Sequence, residues 1–324
     1  MRRLPGAGLK VARDTETTGA EIWRGGVTPW QCDEMGHMNV RFYLGNANEG
    51  LINLAAMLGM PHAFTPGASS TLILREHHVR FLKEARAGAG LYMTGGVLEM
   101  GETDATLLQL IFHGSGEPAC AITSRVTHVT PGELRPFPWT RITRERREAM
   151  TVAAPDFARP RGISGEPVTT MAGGAAADAL GLPVAATGAV MPVDTDVFGR
   201  MLPEHLLARI YSSVGHMFRR SQAALFAADP DLEERLGGAA VEYRALYHAW
   251  PGAGDRIDLR SGHRALTPKS RDVVHWLLDP TSGRAWASAE VVSLFLDLKA
   301  RKSLTLAPHA FEAMGVETIA GLGL

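Results

Sequence analysis

The sequence predicts an α+β protein in which one unit is used twice, and three observations carry that prediction. First, the segment Val27 to Leu44 returns at Val190 to Leu207, with Val27, Pro29, Asp33, Gly36, Met38 and Leu44 reappearing as Val190, Pro192, Asp196, Gly199, Met201 and Leu207. Second, each copy opens onto apolar residues at helical spacing: Leu44, Ala47, Leu51 and Leu54 in one, Leu207, Ile210, Val214 and Met217 in the other. Third, each helical stretch is followed by four runs with strand chemistry. Gly88-Ala89-Gly90 and Gly252-Ala253-Gly254 add an anchor, so little insertion is expected between the copies.

Taken in order, residues 20–31 read as a strand ending at Pro29, and Asp33 to Asn39 as a turn around Gly36. Pro203 stands in the second copy where Val40 stands in the first. Proline suits the first helical position because the N–H it lacks would be unpaired there. The helix therefore starts at Val40 with Asn39 as N-cap and runs to about Leu58, where Gly59 and Pro61 end it. Strands are expected over Ser70 to Phe81, Leu91 to Met100, Thr106 to His113 and Ala119 to Val129, with Gly114-Ser115-Gly116 as a turn. The second half repeats this: a strand into Pro192, a helix from Pro203 to about Ala227, then runs near Ala239 to His248, Arg256 to His263, Asp272 to Leu278 and Ala285 to Leu296. The domain reading is a first unit over residues 1–130, a crossover over 131–183 holding a charged helix from Thr140 to Met150, and a second unit over 184–324.

The chain has 324 residues, 45% of them hydrophobic, which is enough for each unit to bury a core of its own. The formal net charge of −1, scattered along the chain, gives no footprint for nucleic acid. Cys32 and Cys120 have no CxxC spacing, so neither a disulfide framework nor a zinc site is expected, and the protein reads as cytoplasmic. Met1 to Asp14 lacks the apolar stretch of an export signal. Met171 to Val193 is too broken by Asp178, Pro183 and Pro192 to span a bilayer, so no membrane partner is expected.

The segment that can carry chemistry is Cys32-Asp33-Glu34-Met35-Gly36-His37-Met38-Asn39, a carboxylate, an imidazole and an amide in a turn that opens onto a helix. N–H groups of a first helical turn can hold an oxyanion, and Asp33 or His37 could activate water or attack a carbonyl. Such a site suits acyl transfer to water. A thioester fits, because its thiolate leaves without strong acid help. GxSxG, GxxxxGK[ST] and GxGxxG are all absent, so a serine nucleophile elbow and nucleotide-cradling loops have no support.

Val27 to Tyr43 resembles the hot-dog-fold thioesterases of the 4-hydroxybenzoyl-CoA thioesterase type, in its strand, Asp-containing turn and Gly-His-x-Asn entry into a long helix. It is also similar to the plant-type acyl-ACP thioesterases, whose Asp-x-Asn-x-His and later Tyr and Glu fall on Asp33, Met35, His37, Tyr43 and Glu49, with Met35 departing from the pattern. The resemblance implies a double hot-dog: two antiparallel sheets, each wrapped around a long central helix, with the paired units sharing a continuous sheet and the active site at the seam between them. It implies an acyl-CoA thioesterase with Asp33 as base or nucleophile, His37 positioning or polarising, Gly36 and Met38 backbone amides as the oxyanion hole, and Asn39 orienting the turn. The second copy has Arg200 for His37 and Leu202 for Asn39, so one competent site is expected, with the second unit as its wall.

No cofactor is expected beyond the coenzyme A of the substrate, whose phosphates Arg41, Arg80 and Lys83 are candidates to hold. A homo-oligomer stays open. Two other functions fit the same segment: an R-specific enoyl-CoA hydratase, whose Asp-x-Asn-Pro-x-His motif is one residue longer than Asp33 to His37, and a non-catalytic acyl-CoA binder. Glu49 lies opposite the apolar stripe and should face solvent or a partner. His77 and His78, as neighbours on a strand, should point to opposite faces rather than share a metal.

Overall fold

A computed structural model describes residues 19–324. The reading of Met1 to Asp14 lies outside them. The chain begins with β1 (Ala20–Gly26), makes a 3-10 turn at Pro29–Gln31 and the Asp33 turn, and enters α1 (Val40–Met57). The strands β2 (Thr71–Phe81), β3 (Gly90–Met100), β4 (Asp104–His113) and β5 (Pro118–Val129) follow. The crossover holds α2 (Arg141–Ala149) and α3 (Gly174–Ala179). The second half runs β6 (Val184–Ala189), a 3-10 turn at Pro192–Asp194, α4 (Pro203–Ala228), β7 (Leu236–Tyr247), β8 (Arg256–Leu266), β9 (Ser270–Leu278) and β10 (Ala285–Asp297), then β11 (Lys302–Ser303) and α5 (Pro308–Ala313).

Both long helices start where the proline argument places them. Asn39 caps α1 by accepting the Arg41 N–H at 3.1 Å, and Pro203 occupies the first position of α4. The buried face of α1 is Tyr43, Leu44, Ala47, Leu51 and Leu54, with Glu49 exposed on the other side, receiving the Trp23 indole N–H. Gly50 lets this helix settle onto the sheet, since a Cβ there would lie 2.6 Å from the Met93 sulfur.

The strands form one antiparallel sheet in the order β1-β3-β4-β5-β2-β7-β10-β9-β8-β6, with β11 added to β10. The two expected sheets are thus halves of one continuous sheet. β2 and β7 would each end a half-sheet with a row of unpaired backbone groups, and they remove that liability by pairing Glu76–Arg80 with Glu242–Leu246. The main core is shared between the halves: Leu44, Leu54 and Val79 belong to the same buried cluster as Leu207, Ile210, Tyr243 and Leu277, and smaller clusters lie beside it. The glycine anchor also shifts. The N–H of Gly88 bonds the Val27 carbonyl and that of Gly254 bonds Val190, so Gly88 corresponds to Gly254, two residues away from the sequence match.

Across the seam, β2 and β7 present different chemistry on their two faces. His77 turns inward, its Nδ1 2.9 Å from the Tyr247 hydroxyl, while His78 turns outward to Glu242 at 2.8 Å. Residues 161–166 of the crossover lie over that outer face. The amides of Arg161 and Gly162 donate to Glu242, and the buried Arg244 donates to the Ser164 and Glu166 carbonyls and to Glu76. Burial pushes the Glu242 carboxyl up, but the bonds from His78, Arg161 and Gly162 together outweigh it and hold the group below its usual range. No helix among the described residues is long and apolar enough to cross a membrane.

Candidate active site

The Asp33 turn is built by its own backbone. The Gly36 N–H donates to the Asp33 carbonyl at 3.0 Å, and the Asp33 N–H to the His37 carbonyl at 2.8 Å. Gly36 sits at φ +76°, a left-handed conformation that costs a residue with a Cβ. Inside this loop Asp33 Oδ1 accepts the N–H groups of Met35 and His37, at 2.9 and 3.0 Å. Among the described residues no group bonds Oδ2. One carboxylate oxygen is thus a structural acceptor, and the other is available to a substrate or a water.

His37 is buried, and its side chain does not reach Asp33. Its Nε2 lies 2.7 Å from Arg301, 3.2 Å from Arg86 and 3.0 Å from Glu84, and Arg301 also bonds Glu84 at 2.5 Å. Nε2 thus meets two guanidinium donors and one carboxylate acceptor. His37 meets Asp33 through its backbone N–H, which donates to Oδ1. Asn39 is the helix cap.

The oxyanion expectation needs correction. The Gly36 amide is used by the Asp33 carbonyl and the Met38 amide by the Ala85 carbonyl at 2.7 Å, so neither has a hydrogen to offer. The N–H of Val40, first in α1, makes no hydrogen bond among the described residues. Its availability could have been read from the sequence, because the first helical amide never has an intrahelical partner.

The proposed phosphate cations do not gather here. Arg80 donates to the Arg159 carbonyl at 2.6 Å, Lys83 pairs with Glu117 at 3.1 Å, and the Arg41 guanidinium stacks over Phe42. The residues that meet the turn instead are Glu84, Arg86, Arg301 and Tyr211 of α4, whose hydroxyl donates to Glu34 at 2.7 Å. Burial first, and then the bond to Glu34, raise that hydroxyl above its usual range. Nothing local in the sequence links Arg301 or Tyr211 to this turn, since both arrive from the second half.

The second copy repeats the turn and lacks its openings. Asp196 Oδ1 accepts the amides of Phe198 and Arg200, while Oδ2 is taken by the Arg200 side chain, through Nε at 2.9 Å and Nη2 at 2.7 Å. Where Val40 offers an N–H, Pro203 has none.

Comparison with known proteins agrees with this architecture. Residues 27–146 match the Thioesterase-like superfamily. This is a hot-dog thioesterase fold. Among solved hot-dog structures, a protein of Lactobacillus plantarum assigned as an oleoyl thioesterase superposes with a TM-score of 0.63 at 11% identity, covering 86% of this chain and 97% of its own. An acyl-ACP thioesterase from Bacteroides thetaiotaomicron gives 0.60 at 10% identity, over 84% and 96%. The 12:0-ACP thioesterase from Umbellularia californica gives 0.59 at 11%, over 84% and 92%. No curated protein matches the sequence.

Proposed function

We propose that the chain is a double hot-dog thioesterase hydrolysing acyl-CoA, with units over residues 1–130 and 184–324 joined by the 131–183 crossover, and with one active site at Asp33. The observation that carries this is a carboxylate oxygen, Asp33 Oδ2, and a helix-start N–H, that of Val40, neither of them bonded among the described residues, against a second copy in which Arg200 takes the one and Pro203 lacks the other. The Thioesterase-like match over residues 27–146 supports the reaction class.

In this reading the thioester carbonyl oxygen points at the Val40 N–H. A water oxygen attacks the carbonyl carbon as Asp33 Oδ2 takes its proton, and the carbonyl electron pair moves onto an oxygen stabilised by the amide and the start of the 18-residue α1. Collapse of the tetrahedral species reforms the carbonyl and expels the thiolate. Alternatively Oδ2 attacks directly and water resolves the resulting anhydride. Label found in Asp33 after a single turnover in ¹⁸O-water establishes the anhydride route with water attacking the aspartyl carbonyl, because direct water attack on the thioester puts the label in the product acid alone. Glu84, Arg86 and Arg301 fix His37, and His37 fixes Asp33.

The test is thiol release from short, long and aromatic acyl-CoAs, with acyl-ACP as a second arm. Release by the native protein, lost in Asp33→Asn and kept in Asp196→Asn, supports the reading. No release from any substrate, or unchanged release by Asp33→Asn, refutes it. Hydration of crotonyl-CoA without thiol release would instead make it a hydratase, and tight calorimetric binding without turnover would make it a binder.

A further inference from the structure

A cavity of about 210 Å³ lies between α1, β2 and the Asp196 turn, away from Asp33. Its walls are mostly hydrocarbon: Leu51, Phe64, Leu72, Leu74 and the ring of Trp250. Two polar atoms of its lining residues break that pattern. Arg200 Nη1 and Trp250 Nε1 are both buried, and neither has a hydrogen-bond partner among the described residues. The Arg200 side chain is only 11% exposed. Sixteen buried polar side-chain atoms among the described residues lack a partner, and these two belong to residues that line one apolar cavity.

The mirrored arrangement accounts for these two. Arg200 occupies the place of His37, and by the register of the loop hydrogen bonds, in which the Met38 amide meets Ala85 and the Met201 amide meets Pro251, Trp250 occupies the place of Glu84. The second copy has thus exchanged an imidazole and a carboxylate for two donors over an apolar chamber. Both missing partners are acceptors, and neither is a donor. Arg200 already meets Asp196 through Nε and Nη2, so Asp196 is neutralised and Nη1 is left over. The 26-residue α4 starts at Pro203, beside the cavity, and adds partial positive charge, while Glu204 is turned onto the Asn48 amide.

We infer that this chamber is a separate binding site for an aliphatic monocarboxylate, its carboxylate taken by Arg200 Nη1 and Trp250 Nε1 and its alkyl chain lying along Leu51, Leu72 and Leu74. The volume is below the ~300–1,000 Å³ of sites for drug-sized ligands, which favours a chain of medium length. The site goes beyond the proposed hydrolysis and does not require Asp33.

Calorimetry with octanoate, and with octanol as the uncharged control, tests it. The expected result is saturable octanoate binding that weakens at least tenfold in Arg200→Gln and several-fold in Trp250→Phe, which keeps the ring stacked on Tyr247 and removes the N–H. Octanol binds at least tenfold more weakly, and Asp33→Asn leaves the octanoate affinity unchanged. The inference fails if octanoate does not bind, if octanol binds equally, or if binding survives Arg200→Gln and is lost in Asp33→Asn. Thiol release lost in Asp33→Asn with octanoate binding intact would uphold both readings, and either can fail without the other.

Discussion

Arg244→Met tests whether the outer face of the seam holds the crossover in place. The Arg244 side chain is 2% exposed and that of Glu76 is 11% exposed, with 2.7 Å between them, and the remaining guanidinium nitrogens donate to Ser164 and Glu166 at 2.6 and 2.8 Å. Methionine fills much of the volume and removes every donor. Breaking a buried pair by deleting one partner costs ~3–5 kcal/mol, because the other charge stays buried and unpaired. Arg125 is 3.5 Å from Glu76 and largely exposed, so it relieves part of that cost and the low end, ~3 kcal/mol, is expected. At ~2–4 °C per kcal/mol for a protein of comparable size, the melting temperature falls by ~6 °C or more. Limited proteolysis should then cut within residues 161–166 before the sheet unfolds. The double variant Glu76→Met/Arg244→Met should recover part of the loss, since no charge is stranded. A fall of less than ~1 °C with the crossover still protected would refute the claim that this pair anchors it.

Asp33→Asn keeps an acceptor for the Met35 and His37 amides, so the protein should stay folded by circular dichroism while thiol release drops ~10²-fold or more, the usual worth of a positioned base. Gly36→Ala meets no atom within 4 Å, so its only penalty is the left-handed backbone, ~1–2 kcal/mol, seen as a modest drop in melting temperature. Stability should fall with acid. Burial lowers His77 and His275 to about 3, and burial with Arg271 lowers His263 to about 4, so these rings stay neutral in the fold while the unfolded chain takes up protons below its ordinary value of 6.5. Their stabilisation is fully present above 6.5 and is lost as pH falls towards the folded values, at ~1.4 kcal/mol per pH unit for each ring. Denaturation followed from pH 7 to 5 should show this slope, and His77→Gln should remove about one proton of it.

Local signals were enough to place most elements. The 3.6-residue stripe and the Asn39 cap mark α1, and the proline at position 203 dates the start of both helices, because caps and first-turn chemistry act within a few residues. The strand runs emerge within a few residues of their ends for the same reason. Short α3 and α5 escaped, since a six-residue helix has too few turns to show a period. The Asp33 turn was legible too: an Asx-type loop with a glycine at positive φ is fixed by its own amides.

What the sequence determined by itself is therefore the repeated unit, the two long helices and a carboxylate held at the entrance of one of them, all set by interactions between residues near one another in the chain. Only the tertiary structure decided that the half-sheets join through β2 and β7, that Glu84, Arg86 and Arg301 claim the His37 ring, that Arg80 and Lys83 are engaged elsewhere, and that Arg200 and Trp250 line a chamber between α1, β2 and the Asp196 turn. Those contacts join residues up to 264 positions apart. No local pattern encodes them, because they depend on which edges and faces remain unsatisfied once each element has formed.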